Sequence, residues 1–348
     1  MDLNEGFSDS SILVAKKSSK AKLVKTRIAC LSHKEDADGI SSASLIKQSF
    51  NADITLVDYP GQIAALEEIA SDKKLKMLFI CDFGLSKTNQ DKFVEILTAL
   101  RKRLVKIAYI DHHDIDPKIA KKIKKIGVQL VHNINECATV LVYDTFRKKL
   151  DKHASFVAAC AAITDYMDDR PLGSKLLAMY DRQFVLINAT SLTFNIVGHQ
   201  KKEEFLLDLV NDLSKSKYPH DIDGFFDFAQ SQASTLADVM NKVTRSMKVL
   251  KNLGYVEVKD SGVSGAVNFV LGFSGRDVGI AYKNRVDHNI YSVSIRGSKN
   301  CKTHLGRLTN KLATSLGGSG GGHDKACGAI IPHSKIKKFI MEFNKSLS

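Results

Sequence analysis

The chain has 348 residues, 44% hydrophobic and 26% charged, enough to bury one large core or two moderate ones, and two domains are expected. No run approaches the ~18 apolar residues of a membrane span, and the opening Met-Asp-Leu-Asn-Glu-Gly lacks the apolar stretch of a secretory signal. The net charge of +13 favours a polyanionic partner: nucleic acid, nucleotides or acidic lipid.

Six cysteines with no Cys-x-x-Cys pair give no zinc signature. Cys30 and Cys81 lie in strand-like apolar runs and read as buried thiols of a reduced, cytoplasmic protein. Residues 1–25, with Lys16, Lys17, Lys20, Lys22 and Lys25, read as a basic tail.

Arg27 to Ser32 reads as a buried strand, followed by His33-Lys-Glu-Asp36-Ala-Asp38-Gly39 and then helical apolar spacing from Ile40 to Phe50. Strand, acidic turn with glycine and helix follow one another as in a Rossmann-type first turn, with carboxylates in place of glycines. Two carboxylates beside an imidazole suit Mn²⁺ or Mg²⁺; the alternative is an acidic helix cap with Gly39 making the turn. The pattern recurs. Asp53–Asp58 is a second strand with a helix from Gln62 to Ala70, and Lys76–Cys81 a third, ending at Asp82-Phe-Gly84 before a helix from Asn89 to Arg103. Val105–Ile110 is a fourth, ending at Asp111-His112-His113; Pro117 opens a lysine-rich helix to about Lys125, Val128–Val131 is a fifth strand, and a helix follows from Ala138 to Lys149. Such alternation predicts a doubly wound parallel sheet. Three strands then end in acidic or acid–histidine groups at their carboxyl ends, on the one side of an open parallel sheet where ligands bind. The small-residue helix Phe156–Ile163 leads to a further acid, Asp165, with Pro171 expected to end that element.

Helices and connectors are expected from Ser174 to Leu253, including a basic helical stretch from Ser234 to Lys251; Asp221–Phe228 reads as the start of a core-packing helix. Tyr255–Val258, Val267–Leu271, Val278–Tyr282 and Ile290–Ile295 read as strands of a second, partly antiparallel sheet, the last ending at Arg296-Gly297. His304–Leu316 has helical spacing and precedes a glycine-rich loop, Gly317 to Gly328, containing Gly320, Gly321, Gly322 and His323. Such a loop can turn backbone N–H groups toward a phosphate; the alternative is a flexible turn before Ala329–Ile331.

His33-x-x-Asp36-x-Asp38-Gly39, Asp82-x-Gly84, Asp111-His112-His113 and Asp165 resemble the four sequential motifs of the DHH phosphoesterase superfamily, and Gly-Gly-Gly-His-x-x-Ala-x-Gly resembles the hallmark of its associated C-terminal domain. The resemblance runs over about residues 26–345. It implies an α/β architecture: a doubly wound DHH domain over residues 26–200, a helical connector over 201–253, and a smaller mixed C-terminal domain over 254–348 across a cleft. It implies two Mn²⁺ or Mg²⁺ ions, one held by His33 and Asp36, the other by Asp38, His112 and Asp165, with Asp82 bridging. Asp111 would orient an imidazole, His113 would contact the scissile phosphate, and Arg296, His323 and the glycines would grip substrate. The activity implied is RecJ-like hydrolysis of single-stranded DNA, RNA or short oligonucleotides to mononucleotides. The alternatives are a phosphatase of nucleoside bisphosphates or cyclic dinucleotides, and a replication-complex scaffold bound to replication or repair proteins.

Overall fold

A computed structural model describes residues 26–86, 88–259, 262–322 and 324–347. Contacts divide the chain into two compact units, the first ending at Ala229 and the second beginning at Gln230.

In the first unit, strands and helices alternate: β1 (Arg27–His33), α1 (Ala37–Phe50), β2 (Asp53–Val57), α2 (Gln62–Ser71), β3 (Leu75–Cys81), α3 (Gln90–Lys102), β4 (Lys106–Asp111), α4 (Pro117–Lys125) and β5 (Gln129–His132). The strands form one sheet in the order β2-β1-β3-β4-β5, every neighbouring pair parallel. Each inner strand reads as a continuous apolar run because both faces are covered. Along β1, β3 and β4, Cys30, Phe79, Ala108 and Ile110 enter one core, while Ala29, Leu31, Leu78, Ile80, Ile107 and Tyr109 enter the other. The second of these cores takes Leu66 of α2, Phe93 of α3 and Ile119 of α4.

The first core is larger, since it is closed by α1 and by a run of helices after the sheet: α5 (Ala138–Phe146), α6 (His153–Thr164), α7 (Pro171–Leu177), α8 (Arg182–His199) and α9 (Glu203–Ser214). Alanine-rich α6 is buried along nearly its whole length, as its small side chains allow. Pro171 does not end this element. α6 stops at Thr164, and Pro171 occupies the first turn of α7, where its missing N–H leaves no bond unmade. α10 (Phe225–Ser246) begins at the acidic–aromatic stretch, and Phe225 is buried in the first core.

The second unit holds a six-stranded sheet, β10-β11-β9-β8-β7-β6, from β6 (Lys248–Val249), β7 (Gly254–Glu257), β8 (Val278–Arg285), β9 (Ile290–Gly297), β10 (Ser319–Gly322) and β11 (Ala326–Pro332). Among the described residues only β7 and β8 pair in parallel. Most of α10 lies in this unit, with α11 (Val263–Phe273), α12 (Leu305–Ser315) and α13 (Ile336–Ser346).

Two expectations are corrected here. Val267–Leu271 is not a strand but the middle of α11. Its buried positions Ala266, Val267 and Val270 follow helical spacing, and the sheet is shaped to receive a helix: a Cβ on Gly254 would stand 2.4 Å from Ser274 Cβ, and one on Gly279 2.8 Å from the Leu271 amide nitrogen. The glycine-rich stretch is not wholly loop, because Ser319–Gly322 pairs antiparallel with Cys327–Ile330 as β10 of a hairpin.

Candidate metal centre

The carboxyl ends of the parallel strands carry the site. His33 closes β1 and is buried; its Nε2 lies 3.6 Å from Asp36 Oδ2 and its Nδ1 has no hydrogen-bond partner. Asp36 is the N-cap of α1, its Oδ1 accepting the Gly39 amide at 3.0 Å. A Cβ at position 39 would fall 2.2 Å from the His33 carbonyl oxygen, so the glycine of this motif lets α1 start hard against the end of β1. Asp38, in the first turn of α1, accepts the amides of Ala138 (2.7 Å) and Thr139 (2.8 Å), and the Thr139 hydroxyl donates to the Asp38 carbonyl at 2.8 Å. The N-terminus of α5, where backbone N–H groups lack helical partners, therefore holds this carboxylate.

Asp82 follows β3 with a left-handed backbone (φ 50°), a conformation that Asp tolerates better than most residues. Its Oδ1 lies 3.4 Å from His112 Nε2 and 3.7 Å from His113 Nδ1, while Oδ2 has no partner. Burial, and then the charges of Asp36, Asp38, Asp111 and Asp165, push its carboxyl well above the usual range. His112 Nε2 also lies 3.5 Å from Asp165 Oδ2 and 3.7 Å from Asp38 Oδ2. Asp165 caps the C-terminus of α6; burial, then Asp38 and Asp36, raise it to about 8, and its Oδ2 too lacks a partner.

Asp111 has another task. Its Oδ1 accepts the His112 amide (2.9 Å) and faces His113 Nδ1 at 2.9 Å; its Oδ2 lies 2.7 Å from the Tyr109 hydroxyl. Burial works against its charge, but the His113 hydrogen bond and the Tyr109 hydroxyl hold the carboxyl below its ordinary value. Burial would likewise lower His113, and the Asp111 hydrogen bond overcomes it and leaves the imidazole raised. The Tyr59 hydroxyl stands 3.0 Å from His113 Nε2, and His132 Nε2 lies 2.6 Å from the His113 carbonyl oxygen.

Among the described residues Asp38, His112 and Asp165 could serve as one ligand group and Asp82, His112 and His113 as a second, the donor atoms of each within 4.8 Å of one another. Buried carboxylates with oxygens that accept no hydrogen bond, and with mutual repulsion, fit a divalent cation: oxygens and imidazoles suit Mn²⁺ and Mg²⁺, and the ion's charge would reverse the repulsion. His33 and Asp36 adjoin this set as a pair.

The remaining site expectations fall in the second unit. Arg296 stands near the end of β9, half-buried, its Nη1 3.1 Å from the Ile295 carbonyl oxygen. Gly320, Gly321 and Gly322 lie in β10, and His323 falls outside the described residues. Tyr59, His132 and the α5 amides are not singled out by the motifs. For Tyr59 a signal existed: β2 is another strand of the same sheet, and Asp58-Tyr59-Pro60-Gly61 stands at its carboxyl end.

Residues 251–348 match the family profile of the DHHA1 domain. The fold aligns with a pGpG-specific phosphodiesterase, PggH, of Vibrio cholerae at TM-score 0.60 and 14% identity, over 92% of this chain and 98% of that one. It aligns with RecJ of Thermus thermophilus in complex with Mn²⁺ at 0.58 and 14%, over 92% of this chain and 52% of that one. The chain shares its fold with these proteins. The DHH domain of a member of a ribosomal-protein family aligns at TM-score 0.68 and 16% identity, over 93% of this chain and 87% of that one. An uncharacterized protein of Methanocaldococcus jannaschii is 26% identical over 161 residues, 46% of this chain and 45% of that relative, so the match spans under half of the curated relative's length. Among the described residues no helix is long and apolar enough to cross a membrane.

Proposed function

We propose that this protein is a divalent-metal-dependent phosphodiesterase that releases mononucleotides from short single-stranded oligonucleotides. The observation that carries the reading is the convergence on His112 Nε2 of Asp38, Asp82 and Asp165, two of them with buried oxygens that accept no hydrogen bond. Asp38, His112 and Asp165 would hold one Mn²⁺ or Mg²⁺ ion, His33 and Asp36 the other, with Asp82 shared. Bound there, the ions supply an acidified water and neutralise charge on the phosphoryl oxygens.

The chain's own groups do the rest. Asp38 is held by the α5 amides, which fixes its carboxylate before any ligand arrives. Asp111 Oδ1 accepts a hydrogen bond from His113 Nδ1–H in this reading, so the ring turns its Nε2 outward. That nitrogen, now 3.0 Å from the Tyr59 hydroxyl, is the seat of a phosphate oxygen in this reading. The imidazole, raised through Asp111, keeps the proton it would donate there. In the second unit Arg296 would take a neighbouring phosphate, a task suited to its bidentate fork.

The excess of 13 positive charges supports a polyanionic substrate. The Vibrio cholerae enzyme, whose length this chain nearly matches, is specific for pGpG, and that likeness supports the dinucleotide end of the range. The test is incubation with Mn²⁺ and end-labelled single strands of two to about thirty nucleotides. Mononucleotide release, fastest on the shortest strands, is expected. Hydrolysis confined to mononucleoside bisphosphates would replace this reading with the phosphatase one.

A further inference from the structure

The turn after Asp165 carries a side chain that costs stability and gains no packing. Where α6 ends, the Tyr166 amide donates to the Ile163 carbonyl at 3.1 Å and the Met167 amide to the Ala162 carbonyl at 2.8 Å. These are the paired bonds of a Schellman cap, whose first residue past the cap takes left-handed backbone and is usually glycine. Here it is Tyr166, with φ 57°. A β-carbon is disfavoured in that conformation, and a bulky side chain there is a real outlier. Tyr166 is also 89% exposed, so burial offsets nothing.

The turn is firmly held all the same. A Cβ on Gly173 would stand 2.5 Å from the Met167 carbonyl oxygen, so α7 packs directly on it. The Arg170 amide donates to that carbonyl at 3.1 Å, and Asp168 pairs with Arg182 at 3.3 Å. A rigid turn thus displays a phenol ring one residue from a carboxylate that lies 3.5 Å from His112. Leu104 shows the same exposed left-handed backbone (φ 62°) between α3 and β4, and what sets Tyr166 apart is its place next to Asp165; strained residues so placed are found at ligand sites.

We propose that Tyr166 is the stacking platform for a base of the nucleotide whose phosphate occupies the metal centre. This rests on the phosphodiesterase reading and adds a subsite to it. Every nucleobase presents a π face, so the platform adds affinity without reading sequence. A tyrosine has few rotors to immobilise, and the turn has already fixed its backbone.

The test uses the full chain with Mn²⁺, the variants Tyr166→Gly and Tyr166→Phe, and two short strands, one normal and one with abasic residues at both ends. Tyr166→Gly is expected to melt at or above wild type, because glycine relieves the left-handed strain, and to bind Mn²⁺ as wild type does. Its KM on the normal strand rises about five- to a hundredfold, the range for losing one base–aromatic stack. Tyr166→Phe stays near wild type, and on the abasic strand wild type and Tyr166→Gly share one KM. An unchanged KM on the normal strand, an equal rise on both strands, or a Tyr166→Gly protein that melts far below wild type overturns the proposal.

If wild type hydrolyses no strand, the phosphodiesterase reading fails, and the platform is judged by binding alone. With Ca²⁺ in place of Mn²⁺, wild type should prefer AMP to ribose 5-phosphate by at least about fivefold, and Tyr166→Gly should lose the preference. Equal affinities in wild type would sink it.

Discussion

Replacing Asp165 by asparagine should stabilise the protein when metal is stripped away and weaken it when metal is present. The carboxyl sits at about 8 against an ordinary 3.8, an interval of about four units. At ~1.4 kcal/mol per unit, the cost of carrying this group in the metal-free fold has a ceiling of roughly 6 kcal/mol at pH 8. Neighbouring carboxylates share their protons as a coupled set, so about 2–3 kcal/mol is the expected gain for Asp165→Asn. The sign follows from proton linkage. Between pH 4 and 8 the folded protein holds a proton that the unfolded chain has lost, so the stability of metal-free wild type falls as pH rises through that window and levels off above it. The variant lacks this slope. Urea unfolding in EDTA at pH 5 and pH 8 measures it, with the larger gain expected at pH 8. Adding Mn²⁺ should reverse the order, because only wild type gains the full stabilisation of binding, ~4.1 kcal/mol at a thousandfold excess over Kd. A variant no more stable than wild type at pH 8 in EDTA would refute the charge-strained centre and leave a structural cluster of capped acids.

Asp82→Asn, chosen because asparagine also tolerates φ 50°, should abolish hydrolysis and keep the fold; near wild-type turnover at saturating Mn²⁺ would sink a shared metal ligand at this position. Arg296→Ala and His323→Ala should raise KM several-fold with Mn²⁺ content unchanged, and a fall in metal content measured by atomic absorption would show the roles to be misassigned. His153 is 6% exposed, and burial lowers its pKa despite the opposing charge of Asp151. Its contribution to stability is therefore lost as pH falls below about 6.5, and His153→Phe should be more stable than wild type at pH 5 in a urea titration. Binding of about ten-nucleotide strands with Ca²⁺ should weaken more steeply with salt than binding of dinucleotides, one counterion released per phosphate contact; equal shallow slopes would favour the small-molecule phosphatase.

The first unit was legible because its inner strands are buried on both faces. β1, β3 and β4 stand out as apolar runs, and the helices between them keep a polar face, so each boundary is marked by a change of period. The same logic misread residues 267–271. An apolar run rich in β-branched residues is shared by a buried strand and by a helix laid on a sheet, and what decides here is Gly254 and Gly279 on strands distant in sequence, which leave room for a helix. The Ser319–Gly322 strand was hidden for the opposite reason. Glycines carry no side-chain period, and the strand exists because β11 supplies its hydrogen bonds.

The candidate centre was legible to the extent that sheet topology does the gathering. Parallel strands deliver whatever follows them to one rim, so His33, Asp82, Asp111 and His112 needed only their positions after apolar runs. Local sequence could not say which acids would be satisfied on arrival. Asp38 and Asp165 look alike in the chain, yet both oxygens of Asp38 are held by amides of α5, a hundred residues away in sequence, while Asp165 keeps an oxygen with no partner. In the proposed reading that difference would separate an anchored ligand from one that holds its proton until a cation arrives. It also explains why Asp165, rather than Asp38, is the position at which removing a carboxylate should reveal the stored repulsion: deleting Asp38 would orphan two buried amides along with the charge, and the two effects oppose each other.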